Sequence, residues 1–239
     1  MKRIFAAALF IAGCSLIALG QTESRGDLLK DIETKQADLA NLEKKFLAPS
    51  DEDRAANAEF LAHPDTGLIR LLPREVYDSY VNKKAALTVR GGGSYYSFTL
   101  QTHDYGNATD IGLEQGSLKV GFAGADYGML AKLDGARLED ISTELPGVMF
   151  LAKYSAVSGE PGARVEQRRF GTGTTIDGMS FKERLPVEVG ATYVLRSINY
   201  SESDVLVALR VVRQDTDGSI IIAWKLLQKY PVPKLALNK

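Results

Sequence analysis

Val205-Leu206-Val207-Ala208-Leu209-Arg210-Val211-Val212-Arg213-Gln214, then Asp215-Thr216-Asp217-Gly218, then Ser219-Ile220-Ile221-Ile222-Ala223-Trp224-Lys225-Leu226-Leu227-Gln228: this stretch decides the fold class. Two β-branched, apolar runs joined by a four-residue turn predict an antiparallel pair. Because both faces of each run are apolar, the pair is expected to be covered on both sides, at the centre of a sandwich or under helices. Pro231 and Pro233 stop the pairing.

Working back from this pair, period-two patterning continues to about Leu68. Ser94 to His103 sets Tyr96, Phe98 and Leu100 against Tyr95, Ser97, Thr99, Gln101 and His103. With Ala85–Arg90 and the turn Gly91-Gly92-Gly93 this predicts a hairpin. Ile111–Glu114, Gln115-Gly116 and Leu118–Phe122 predict another, and further strands are expected at 127–133, 147–156, 163–170, 179–185 and 191–200. The 22 glycines, many of them between short alternating segments, fit turns. The expectation is a mainly β chain: an antiparallel sandwich or partly open barrel of about 9–11 strands over residues 63–239, preceded by a helical segment. No helix alternating with strands is expected, which argues against an α/β sheet.

The preceding segment, residues 21–62, reads as two helices, about 24–47 and 51–61. In the first, Leu28, Ile32, Leu39, Leu42 and Phe46 fall on a 4-3-4-3-4 ladder whose remaining rung is Lys35. That spacing is a coiled-coil seam of under three heptads, and it marks residues 24–47 as a candidate homo-oligomerisation or docking surface. Pro49 ends the helix, and Ser50 with Asp53 matches a capping box opening the second. Ten acidic against six basic residues leave residues 21–62 weakly negative. Arg25-Gly26-Asp27 matches an integrin-binding tripeptide, but its three residues begin a helix and are discounted.

Residues 1–20 read as a signal peptide: Lys2-Arg3, an apolar run from Ile4 to Leu19, and small residues at Ala18 and Gly20. Cleavage after Gly20 discards Cys14 and leaves no cysteine for a disulfide or thiolate ligand. The competing reading is a lipobox, Ile11-Ala12-Gly13-Cys14, with the protein anchored to a membrane only through lipidated Cys14. Either way the protein is expected outside the cytoplasm, periplasmic or secreted. The formal net charge of −1 falls to −3 when Lys2 and Arg3 are removed. Both signs are interspersed, so nucleic acid is not an expected partner.

No catalytic motif stands out. G-x-S-x-G, H-E-x-x-H, S-x-x-K and the P-loop are missing, and no cofactor or metal is expected. Gly171-Thr172-Gly173-Thr174-Thr175 lacks the third glycine of a dinucleotide loop, and Asp215-Thr216-Asp217-Gly218 lacks the distal ligands of a calcium loop. His63 precedes Pro64 at a helix exit. His103 stands at a strand end on the polar face of Tyr95 and Gln101, near Asp104, and is the candidate acid/base. Arg164, Glu166 and Arg168 would form a cross-strand ion ladder if strand-borne. Arg196, Arg210 and Arg213 interrupt apolar strands and need partners wherever they are buried. The candidate ligand-binding residues are Tyr95, Gln101, His103, Tyr105 and Arg168. These features favour an exported, non-enzymatic binding or structural protein with a protein or polysaccharide partner. The alternatives are a hydrolase of an envelope or extracellular polymer, using His103 or a carboxylate pair, and a glycan-binding module.

Overall fold

The computed structural model describes residues 24–236, so the signal-peptide reading of residues 1–20 and the fate of Cys14 lie outside the described residues. Contacts divide the chain after Leu39 into two units. Helix α1 (Arg25–Leu47) crosses that division. The Ser24 hydroxyl accepts from the Asp27 amide at 3.1 Å, Asp27 sits in the first turn, and Lys44 and Lys45 sit in the last, as the helix dipole favours. Within the larger unit, α1 buries Glu43 and Leu47. Pro49 ends it, and Ser50 and Asp53 form a reciprocal capping box at the start of α2 (Asp51–Ala56). The second helix is not continuous to residue 61. It breaks at Asn57, and α3 (Ala58–Leu61) follows.

The next elements are β1 (Thr66–Leu71), α4 (Arg74–Tyr77), β2 (Tyr95–Tyr96), β3 (Ile111–Glu114), β4 (Ser117–Lys119) and β5 (Tyr127–Leu133). A 3-10 turn at Leu138–Asp140 precedes α5 (Pro146–Lys153) and α6 (Glu160–Thr172). The chain ends with β6 (Thr174–Ile176), β7 (Met179–Phe181), β8 (Arg184–Pro186), β9 (Thr192–Asn199), β10 (Ser203–Gln214) and β11 (Ile220–Lys229). The strands form three antiparallel sheets: five strands ordered β1-β11-β10-β9-β5, four ordered β2-β3-β4-β8, and the pair β6-β7. The largest sheet ends at β1 and at β5, whose outer side carries a bridge from Leu130 to Lys182, and it is not a closed barrel.

The expected C-terminal pair is β10 and β11, in register from Val205 opposite Lys229 to Gln214 opposite Ile220, with irregularities at Leu206/Val207 and Val211/Arg213. Its two apolar faces have two destinations. Leu206, Ala208, Ile221 and Ala223 pack in one core with Val148 and Leu151 of α5 and Ala163 and Phe170 of α6. Val205, Val207, Leu209, Ile220 and Ile222 pack in a second core with Tyr96, Ile111, Leu113 and Leu118. Burial of each Val, Leu, Ile or Phe among them contributes about 2 kcal/mol.

Four sequence expectations are overturned. Residues 147–156 are not a strand, because Pro146 opens α5 at its first turn. Residues 163–170 lie inside α6, which Pro161 opens. The proposed ion ladder is therefore helical: Arg164 pairs with Glu160 at 3.1 Å and Arg169 with Glu166 at 3.2 Å, while Arg168 is exposed. An α-helix of 13 residues thus does stand between strands, although every strand pairing remains antiparallel. The fourth is the hairpin across Gly91–Gly93. Residues 85–90 form no strand, and the expected strand 94–103 is reduced to Tyr95–Tyr96. Beyond it the chain turns back on itself: the Ser97 hydroxyl accepts from the Leu100 amide at 3.2 Å, and the Gln101 amide donates to the Ser97 carbonyl at 2.8 Å. The glycines serve close approach as much as turning. At φ 79°, Gly91 would place a Cβ 2.4 Å from the Tyr95 ring, and at φ 75°, Gly93 would place one 2.3 Å from Leu47.

Candidate functional site

A groove of about 450 Å³ runs between the last turns of α1, the edge strand β1 and the folded-back segment ending at His103. Glu43, Lys44, Leu47, Leu68, Ile69, Tyr96, Gln101 and His103 are among its lining residues. Two of the sequence candidates, Gln101 and His103, therefore meet here. Gln101 is held at φ 53° by the tight turn. The His103 Nε2 lies 2.7 Å from the Arg70 carbonyl, which makes that nitrogen a protonated donor. Burial lowers the His103 pKa below its ordinary 6.5, although the Arg70 carbonyl and Asp104 oppose the shift. Asp104 does not orient the ring. Its Oδ1 accepts from the Arg90 amide at 3.3 Å. The imidazole therefore caps an edge-strand carbonyl and, among the described residues, has no carboxylate partner of the kind a general base needs.

On the α1 side, Glu43 is satisfied. Oε1 accepts from the Thr88 amide at 2.6 Å and Oε2 from the Thr88 hydroxyl. Lys44 and Arg54, which also line the groove, have no side-chain partner among the described residues.

Tyr95 and Tyr105 lie together elsewhere. Their ring centroids are 4.6 Å apart, and Phe122 meets both edge-on. The Tyr95 hydroxyl donates to Glu114 Oε1 at 2.7 Å. That carboxylate also receives Arg74 at 3.2 Å, Arg184 at 3.1 Å and Lys119 at 3.5 Å. Burial resists ionisation of Glu114, but the Tyr95 bond and the three cations outweigh it, and its pKa falls below the usual carboxylate value. Burial together with the same carboxylate drives the Tyr95 hydroxyl far above its ordinary range. Tyr95 is thus a buried tie, and Arg168, on α6, lines neither this cluster nor the groove.

Sequence reasoning missed three features. A second groove, about 640 Å³, lies between α5 and the β6-β7 hairpin, lined by Met149, Phe150, Lys153, Tyr154, Met179 and Phe181 among others. Pro146 and Pro161, both helix-start residues, were the signals available for it. Behind it, the Tyr154 hydroxyl donates to Glu166 at 2.8 Å and lies 3.0 Å from that of Tyr127. The third feature is a buried polar network. The Asp110 carboxylate accepts from the Phe98 amide at 2.8 Å and from Asn199 at 2.9 Å, and burial raises its pKa to about 6. Arg196, which the sequence marks as needing a partner wherever it is buried, has one: it pairs with Asp204 between β9 and β10, both side chains buried, and the guanidinium lies 3.2 Å over the Tyr230 ring.

Among the described residues no three His, Cys, Asp or Glu side chains are grouped to hold a metal ion, and no helix is long and apolar enough to cross a membrane. No known family, curated protein or solved structure matches the chain.

Proposed function

We propose that this chain is an exported, non-enzymatic interaction protein that assembles with a second copy of itself through α1. The observation that carries the reading is the exposure of the α1 ladder. Leu28, Ile32, Leu39 and Leu42 are 43, 50, 43 and 63% exposed, although their spacing is that of a buried seam. Six of the twelve large apolar side chains exposed among the described residues lie on this one helix. Scattered exposed leucines need no partner, whereas a contiguous stripe does.

Charge selects both the partner and its direction. Parallel pairing in register sets Lys35 against its own copy, so like charges meet within the seam. Antiparallel pairing sets Leu28 against Phe46, Ile32 against Leu42 and Lys35 against Leu39, and it brings Asp31 toward Lys45 at both ends. It also sets Asp38 beside its own copy, one like-charge contact against two Asp31–Lys45 pairs, so the antiparallel direction is the better matched of the two. With under three heptads, the pairing is weak and reverses on dilution.

The body serves as a rigid platform, which we read as an open sandwich. A single apolar core draws on β1, β9, β10 and β11 from one sheet and on β2, β3 and β4 from another. The alternatives find less support. Among the described residues His103 has no carboxylate to orient it as a hydrolytic base. Tyr95, Tyr127, Tyr193 and Tyr200, which glycan stacking would need at the surface, are buried with their hydroxyls bonded internally.

The test is molar mass by light scattering across a concentration series, on the mature chain and on an Ile32→Glu/Leu39→Glu variant. The wild type is expected to move from one to two copies as concentration rises while the variant stays at one. A wild type that remains monomeric at high concentration, or a variant that still dimerises, removes α1 as the assembly surface. Export is tested by the mass of the mature N-terminus. Cleavage after Gly20 supports secretion or the periplasm, a diacylglyceryl mass on Cys14 supports the lipoprotein form, and an intact Met1 contradicts both.

A further inference from the structure

We infer that the 450 Å³ groove beside β1 takes an extended, acidic peptide segment as an added strand. Part of the β1 backbone makes no hydrogen bond among the described residues. In its register with β11, Gly67 faces Trp224, Ile69 faces Ile222 and Leu71 faces Ile220, and the Leu226 amide donates to the Asp65 carbonyl at 2.8 Å. In an antiparallel ladder, bonded and non-bonded pairs alternate. Asp65, Gly67, Ile69 and Leu71 therefore turn their backbone groups toward β11, while Leu68 and Arg70 turn theirs outward.

Two contacts of the chain confirm that direction. The Arg70 carbonyl is met by His103 Nε2 from the outer side, and the Leu72 amide donates outward to the Gly93 carbonyl at 3.1 Å. Between these caps and the start of the strand, the amide and carbonyl of Leu68 and the amide of Arg70 have no partner among the described residues. Leu68 and Ile69 line the groove. An edge of this kind is a template for strand addition: backbone bonds supply affinity and the walls supply selectivity.

The walls favour one kind of peptide. Of the charged groups lining the groove, Glu43 is already committed to Thr88 through both oxygens, and His103 is neutral and spent on Arg70. Lys44 and Arg54 remain, both cationic and both without a side-chain partner among the described residues. A strand carrying carboxylates on its outward residues satisfies the β1 backbone and these two cations together. Gln101 and Thr102, on the opposite wall, add uncharged hydrogen-bonding groups. This inference does not depend on pairing through α1.

The experiment uses the isotope-labelled mature chain and two capped hexapeptides, one alternating Thr and Glu, the other alternating Thr and Lys. In the free protein the Leu68 and Arg70 amides are expected to exchange with solvent roughly tenfold or more faster than those of Ile69 and Leu71. The Thr-Glu peptide should shift both resonances and slow both amides, and the Thr-Lys peptide should do so less. A Lys44→Glu/Arg54→Glu variant should reverse that preference. Leu68→Pro should abolish binding by removing an outward donor while sparing every bond to β11. Because that proline also alters a buried side chain, the charge-reversal pair decides the matter if the proline variant unfolds. The inference is overturned if Leu68 and Arg70 are as protected as their neighbours in the free protein. It is equally overturned if neither peptide shifts them at millimolar concentration, or if the shifts map to the groove at α5 instead.

Discussion

Helix α1 and the β10-β11 hairpin carry apolar patterns of similar strength and meet opposite fates. Along β10 and β11 almost every apolar side chain is buried, one face against helices α5 and α6 and the other against the second sheet. Along α1 the ladder from Leu28 to Leu42 is left in solvent. Apolar content alone does not separate the two, but its periodicity does. The hairpin is apolar on both faces and can be satisfied only inside a fold. The helix is apolar on one stripe with charge elsewhere, and it can fold as a helix with that stripe unused. The first pattern holds the protein together, and the second is available to a partner.

If the contrast is sound, disturbing the hairpin costs stability and disturbing α1 costs assembly. The largest effect is expected from Arg196→Met. It leaves Asp204 buried without its cation, where burial already raises its pKa, at a cost of about 4 kcal/mol in urea unfolding. Leu209→Ala, at a fully buried position of β10, should cost about 3 kcal/mol by the same measurement, through lost burial and the cavity left behind. On α1, Leu39→Ala should change the stability of the monomer by less than about 0.5 kcal/mol while raising the concentration needed for dimerisation. A large loss of monomer stability from Leu39→Ala would erase the distinction between the two regions.

A pH experiment sharpens the same contrast, because the interior holds groups that titrate in opposing directions. Asp110 has its pKa raised to about 6 by burial, from an ordinary 3.8. The fold then holds a proton that the unfolded chain releases, so stability is lost as pH rises from about 4 through 6. A shift of that size carries on the order of 3 kcal/mol. Asp126, its pKa also raised by burial to about 6, acts in the same sense. His103 acts in the other. Its pKa is lowered by burial, so the unfolded chain takes up the proton first and stability falls as pH drops below 6.5. His103→Gln removes only the second effect. Between pH 7 and pH 5 the variant should therefore gain stability relative to wild type in urea unfolding. A difference between the two that does not vary with pH would show that His103 is not held neutral at the β1 edge.

How far the fold is legible in the sequence follows from how local its signals are. β5, β9, β10 and β11 could be placed because each carries its own apolar run or alternation, and Asp215-Thr216-Asp217-Gly218 marks the turn between the last two. Helices α5 and α6 read as strands because Val148-Met149-Phe150-Leu151 is as apolar as a strand. Gly147, Gly162 and Gly171 also dilute the helical pattern, leaving Pro146 and Pro161 as the only start signals. The alternation of Tyr96, Phe98 and Leu100 is real in the sequence, yet the Ser97 hydroxyl offers the chain a local turn that wins, and Leu100 ends 62% exposed.

The candidate site divides along the same line. Gln101 and His103 stood out as polar side chains, and they do share a groove. Tyr95 and Tyr105 stood out as aromatics, but they close on each other beside Glu114. The unpaired backbone of Leu68 carries no residue-level signal at all. An edge exists only once the order β1-β11-β10-β9-β5 is known, and strand order is a property of the assembled sheet.

The most direct test of self-pairing through α1 places single cysteines in a chain beginning at Gln21, which has no other cysteine. In the antiparallel register Gln36 meets its own copy, whereas Leu28 meets its own copy only in the parallel one. Under mild oxidation, Gln36→Cys should form a covalent dimer readily and Leu28→Cys should not. Efficient crosslinking at Leu28→Cys, or no crosslinking at Gln36→Cys at concentrations where the chain is dimeric, would contradict the account.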